Sequence, residues 1–135
     1  MLAQLQQLSV EGAPEEICGL LFGTGCRVDS FILTKNAAEN RTLHFEIDPA
    51  ALITAEREMR SGGTQILGYF HSHPNGSIQP SKTDAACAIP DGRFWLILNG
   101  EEASAWRSVE QGEVCDRFDT IILDCGNVKG QTAAE

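Results

Sequence analysis

The stretch from Gln65 to His71 (QILGYFH) is nearly continuous in apolar residues, and it constrains the fold more than any other segment. A strand with one face in water alternates polar and apolar side chains, whereas one without alternation has to be covered on both faces. This segment therefore belongs in the middle of a sheet with layers packed on either side. Gly62-Gly63 before it stops a helix, and Pro74-Asn75-Gly76 after it turns the chain away.

The rest of the chain supplies the neighbours such a strand needs. Leu2, Leu5 and Leu8 recur at helical spacing until Glu11-Gly12-Ala13-Pro14 interrupts them, and Pro14-Glu15-Glu16 is expected to open a second helical turn. Cys18 to Phe22 is an apolar run closed by Gly23-Thr24-Gly25, a buried strand entering a hairpin whose return is Arg27 to Thr34. A polar loop over 36–41 leads to His44-Phe45-Glu46-Ile47, read as a short alternating strand. Asp48-Pro49 then supplies an N-cap and a first-turn proline for a helix burying Leu52, Ala55 and Met59. A short helix over 81–88 and three strands, 94–98, 103–109 and 117–123, complete the chain, with turns at Asn99-Gly100 and Gln111-Gly112. With no internal repeat or linker, the expected architecture is one α/β domain, a mixed sheet with flanking helices over residues 1–126, followed by a polar, frayed tail over 127–135.

At the exit of the central strand stands His71-Ser72-His73-Pro74, followed by Ser81 and Asp84. Histidines at i and i+2 of a strand point to the same side, so their imidazoles can converge on one ion, and Asp84 can supply a third ligand. Two imidazoles and a carboxylate suit zinc, and three protein ligands leave a fourth tetrahedral position for water. Zinc lowers the pKa of that water to about 7, and a carboxylate such as Glu16 could take the proton. Each element also has a plainer reading. A histidine pair at a strand end can simply be solvated, and Ser81-x-x-Asp84 ahead of a helix matches a capping box. Glu11 and Glu15 lie beside Glu16, and an acidic first helical turn is favoured by the helix dipole.

The string His71-x-His73-x7-Ser81-x2-Asp84, with Glu16-Ile17-Cys18-Gly19-Leu20-Leu21 upstream, resembles the signature of the JAMM (MPN+) metallopeptidases over about residues 14–123. The resemblance implies a single JAMM/MPN-like domain in which His71, His73 and Asp84 hold one zinc ion per chain. It also implies that Glu16 activates the zinc-bound water and that the Ser81 hydroxyl stabilises the oxyanion of the tetrahedral intermediate. Members of this family hydrolyse amide or isopeptide bonds, often after the C-terminal glycines of ubiquitin-like proteins. The short chain has no room for the long insertions with which large eukaryotic members clamp ubiquitin. It is more similar to compact bacterial forms associated with sulfur-carrier proteins ending in Gly-Gly, and a carrier of that kind is the expected partner.

Composition narrows the alternatives. Ten basic against 19 acidic residues give a formal charge of −9, which opposes nucleic acid, since that affinity comes from neutralising phosphates with Lys and Arg. No apolar stretch exceeds strand length, so no membrane span is expected, and residues 1–10 carry no secretory signal, which points to the cytoplasm. Five cysteines without a CxxC pair indicate reduced, mostly buried thiols. Cys18 and Cys87 are expected to pack in the core, and Trp95 and Trp106 in the core or at its rim. A zinc deaminase needs an H-x-E helix with a later P-C-x-x-C, and the chain does not carry that pair. A non-catalytic MPN-type scaffold is the alternative reading, and such domains usually lack the metal ligands. A metal store would need neither Glu16 nor Ser81.

Overall fold

The computed structural model describes residues 1–74 and 76–123. Nine elements follow one another: α1 (Leu2–Gly12), β1 (Cys18–Thr24), β2 (Arg27–Thr34), α2 (Pro49–Arg60), β3 (Gln65–Ser72), α3 (Lys82–Cys87), β4 (Phe94–Leu98), β5 (Ala103–Ser108) and β6 (Phe118–Ile121). The strands form one six-stranded sheet in the order β2-β1-β3-β4-β5-β6. β3 is central, as its apolar run requires. It pairs antiparallel with β1 and parallel with β4. A parallel pair cannot be closed by a hairpin. The chain must leave the end of β3 and cross back to the start of β4, and this crossover carries α3.

Side-chain alternation along β3 sorts the two faces. Phe70 packs with Leu5, Leu21, Leu96 and Leu98 beneath α1. Tyr69 faces the other way, toward Leu20, Ala55 and Ile66 under α2 and toward Trp95, Ile97, Trp106 and Phe118 near α3. Burying a side chain such as Phe70, fully enclosed here, stabilises by about 3 kcal/mol, so both layers hold the sheet firmly. Gly19 sits where β1, β2 and β3 crowd together. A Cβ there would collide with the Ile32 carbonyl and the Phe70 ring.

Three expectations are corrected. Pro14-Glu15-Glu16 forms a turn and bend rather than a helical turn. The next amides are drawn to distant partners, Glu16 N–H donating to the Arg41 carbonyl at 2.7 Å and Ile17 N–H to Ser72 Oγ at 2.9 Å. His44–Ile47 is not a strand, because the Asn36 side chain takes the His44 carbonyl and the Glu46 N–H, leaving a single Asn36–Ile47 bridge. The cysteines are not mostly buried. Cys18 is, while Cys26, Cys87 and Cys115 are exposed. On α3 and its C-cap the inward face goes to Asp84, Ala85 and Ala88, which turns Cys87 to solvent. Cys125 and the tail expected over 127–135 lie outside the described residues.

Candidate metal centre

The site forms where β3 ends. His71 is fully buried in the last turn of the pleat, and His73, just beyond the strand, keeps the sheet geometry by donating its N–H to the Leu98 carbonyl at 2.9 Å. Residues two apart on a strand share a side, and the two imidazoles meet with Nε2 atoms 3.0 Å apart. Ser72 between them points to the opposite face. There its hydroxyl oxygen accepts the Ile17 N–H and its own N–H donates to the Ile17 carbonyl at 3.0 Å.

Each ring is oriented by its surroundings. His73 Nδ1 lies 2.7 Å from the Ser77 carbonyl, and a carbonyl only accepts, so Nδ1 carries the proton and the Nε2 lone pair faces inward. His71 stacks on Phe45, with ring centroids 4.1 Å apart and planes inclined by 16°, and meets Trp95 edge-on at 5.6 Å. Burial lowers the His71 pKa, favouring the neutral ring that a metal requires.

Asp84 arrives from α3. Its N–H donates to Ser81 Oγ at 3.0 Å, and Ser81 N–H donates to Asp84 Oδ2 at 2.9 Å, a complete capping box. The carboxylate oxygens also stand 3.2 Å from His71 Nε2 and 3.2 Å from His73 Nε2. Capping and convergence on the histidines therefore hold together. The capping box is the device that fixes the carboxylate where the imidazoles meet. Tetrahedral zinc with bonds of ~2.0–2.1 Å puts its donors about 3.3 Å apart, and the three side chains here are separated by 3.0–3.3 Å. Their spacing fits that ion.

The electrostatics point the same way. Burial by itself would raise the Asp84 pKa, but hydrogen bonds with His71, His73 and the Ser81 amide outweigh it and hold the carboxyl far below its usual range. For His73, burial pulls the pKa down while Asp84, the Ser77 carbonyl and Glu16 more than offset it, so the site favours positive charge at that nitrogen. A cation among these groups answers the same field.

Glu16 is 8% exposed, and one of its carboxylate oxygens lies within 4.8 Å of a ring nitrogen of both His71 and His73. Its Oε1 is buried and makes no hydrogen bond among the described residues. Desolvation pushes its pKa up to about 7, His73 pulling it down and Asp84 adding to the rise. A carboxyl that exchanges its proton near neutral pH is suited to general base and general acid work. Ser81 is exposed; its oxygen accepts from the Asp84 amide, which leaves its hydroxyl proton free to donate outward.

All five residues singled out in the sequence thus come together at one end of the sheet. Cys18 is not among them. Its thiol, pushed up to about 11 by burial, sits 3.7 Å from Thr34 Oγ1, a setting that keeps it protonated near neutral pH. Arg27 and Arg41 are occupied by Asp29 and Glu15 in exposed ion pairs of 3.3 Å each. Phe45, the Ser77 carbonyl and Asn36 also shape the site, from the two loops between β2 and α2 and between β3 and α3, and no motif in the sequence marks them for that role.

A model of the family described as prokaryotic homologs of the JAB domain matches residues 1–110. The chain is 31% identical over 108 residues to the desampylase of Pyrococcus furiosus, covering 79% of this chain and 76% of that one. It is also 31% identical over 102 residues to a probable TtuB-protein conjugate cleaving protease of Thermus thermophilus, covering 68% of each. Among solved structures, the crystal structure of a JAB1/MPN domain protein from Archaeoglobus fulgidus aligns with a TM-score of 0.58 and 18% identity, over 91% of this chain and 89% of that one. At that identity the likeness shows the shared fold.

Proposed function

Because the chain belongs to the family of prokaryotic JAB-domain homologues, we propose that it is a zinc-dependent hydrolase cleaving the peptide or isopeptide bond after the C-terminal glycine of a ubiquitin-like or sulfur-carrier protein. The observation that carries this reading is the convergence of His71, His73 and Asp84 at 3.0–3.3 Å beside a buried Glu16. The relatives support the substrate class, one being a desampylase and another a conjugate-cleaving protease by name.

His71 Nε2, His73 Nε2 and a carboxylate oxygen of Asp84 are the ligands in this reading. When bound, zinc supplies a Lewis acid that polarises the scissile carbonyl and brings the pKa of water to about 7. Asp84 is preferred to Glu16 as the third ligand because its oxygens already touch both imidazoles. Glu16, with one oxygen free of partners, takes the proton of the attacking water and returns it to the departing amine. Ser81 donates its hydroxyl proton to the carbonyl oxygen as charge develops there, while its oxygen keeps α3 capped. Phe45 and Trp95 keep water away from the back of His71.

The test is a carrier protein ending in Gly-Gly, joined through its terminal carboxyl to a labelled amino acid or lysine peptide. Zinc-loaded wild type is expected to release the label, with mass spectrometry placing the cut after the last glycine. A chelator should abolish release and added zinc restore it. Absence of release from a panel of such carriers would leave the scaffold reading.

A further inference from the structure

We propose that Asn36 is the positioning residue for Glu16, holding the carboxylate over the metal site through a fully saturated side-chain amide. The inference rests on the reading of Glu16 as the proton acceptor, and it concerns what keeps that acceptor in place.

Glu16 belongs to neither a helix nor a strand: α1 ends at Gly12 and β1 begins at Cys18. No ladder of backbone bonds holds it, so where its carboxylate reaches depends on individual hydrogen bonds. Its N–H donates to the Arg41 carbonyl. Its carbonyl accepts from Asn36 Nδ2 at 2.9 Å. The same Asn36 amide donates to the His44 carbonyl at 3.0 Å, and its oxygen accepts from Ala38 N–H at 3.0 Å and Glu46 N–H at 3.1 Å. An asparagine offers two donor hydrogens and two acceptor lone pairs, and all four are used here, in a residue 9% exposed.

What these bonds connect gives the residue its role. One reaches the segment carrying Glu16. Two flank Phe45, whose ring stacks on His71. A single amide therefore ties the proposed base to the ring that backs a proposed ligand, and sets the distance between them across a loop without regular structure. Asparagine is specific for this task. Aspartate keeps the two acceptor bonds and loses both donors, and alanine leaves the buried Glu16 carbonyl and three part-buried backbone groups to find other partners.

The experiment uses the full chain, zinc-reconstituted, with Asn36→Asp and Asn36→Ala as independent variants. Each is expected to hold about one zinc per chain like the wild type, with KM for a carrier conjugate within about twofold. The expected fall in kcat is about a hundredfold, the size of effect seen when a catalytic group is displaced by about 1 Å. In a Glu16→Gln background the same changes should cost nothing further, because both act through one carboxylate. A purely structural loss would lower turnover equally in both backgrounds. Solution NMR supplies a readout independent of hydrolysis: cross-peaks between the Glu16 side chain and the His73 ring, expected in the wild type and lost in the variants. Should the wild type cleave no conjugate, the hydrolase reading fails while the cross-peaks still decide the role of Asn36. Unchanged kcat with cross-peaks retained, equal losses in both backgrounds, or failure of both variants to fold would overturn the proposal.

Discussion

Ser81 carries two proposed tasks, and they can be pulled apart. Its oxygen accepts the Asp84 N–H at 3.0 Å and caps α3, and its proton is free for a substrate carbonyl. Replacing a serine N-cap by alanine costs about 1 kcal/mol, whereas glycine in its place costs only a few tenths. α3 has six residues, so this one cap serves the whole helix, and nothing else among its side chains replaces it. In a domain of this size 1 kcal/mol shifts the melting midpoint by roughly 3–5 °C. Ser81→Ala should therefore melt about that much below the wild type and Ser81→Gly close to it, as followed by circular dichroism on metal-free protein. Both variants lack the hydroxyl, so both should lose the same factor in conjugate cleavage, about 10²–10³ for one oxyanion donor. If Ser81→Gly cleaves like the wild type while Ser81→Ala does not, the rate follows the cap and the proposed donor role of Ser81 is wrong. If Ser81→Ala melts with the wild type, the capping argument is wrong.

Glu16→Gln keeps the shape of the side chain and removes the proton acceptor; cleavage should fall by about 10²–10⁴ while zinc per chain stays the same, and a parallel loss of zinc would make Glu16 a ligand instead. With its pKa pushed up to about 7 by burial, Glu16 is protonated and unable to accept below that range, so kcat/KM should rise with pH and level off. A bound cation draws the carboxyl lower, placing the acid limb at or below about 7 in the zinc-loaded protein, and a limb unchanged in Glu16→Gln would assign it to another group. Gly19→Ala should destabilise by about 1–3 kcal/mol, since its Cβ meets the Ile32 carbonyl and the Phe70 ring; an unaltered urea midpoint would show that the sheet yields there.

What could be read from the sequence was what local rules govern. The apolar run over 65–71 identified the central strand, Asp48-Pro49 the start of α2, and the spacing of His71, His73, Ser81 and Asp84 a cluster of side chains that the fold brings together. Non-local partners hid the rest. The bend that leads from Pro14 to β1 is held because the Arg41 carbonyl and the Ser72 hydroxyl, distant in sequence, take the amides of Glu16 and Ile17. The strand expected at His44–Ile47 is absent because one asparagine side chain fills the backbone groups that a neighbouring strand would use. Cys87 is exposed against expectation because its apolar flanks do not tell which face of so short a helix turns inward. Ser81-x-x-Asp84 reads in sequence as either a cap or part of a metal site, and in the fold it forms a cap whose carboxylate also meets both imidazoles.

The central claim is that His71, His73 and Asp84 hold a metal ion, and elemental analysis of protein purified without chelator tests it most directly. Wild type is expected to carry about one zinc per chain, with Asp84→Ala losing most of it. A wild type free of zinc even after reconstitution, or an Asp84→Ala variant that retains it fully, would contradict the account.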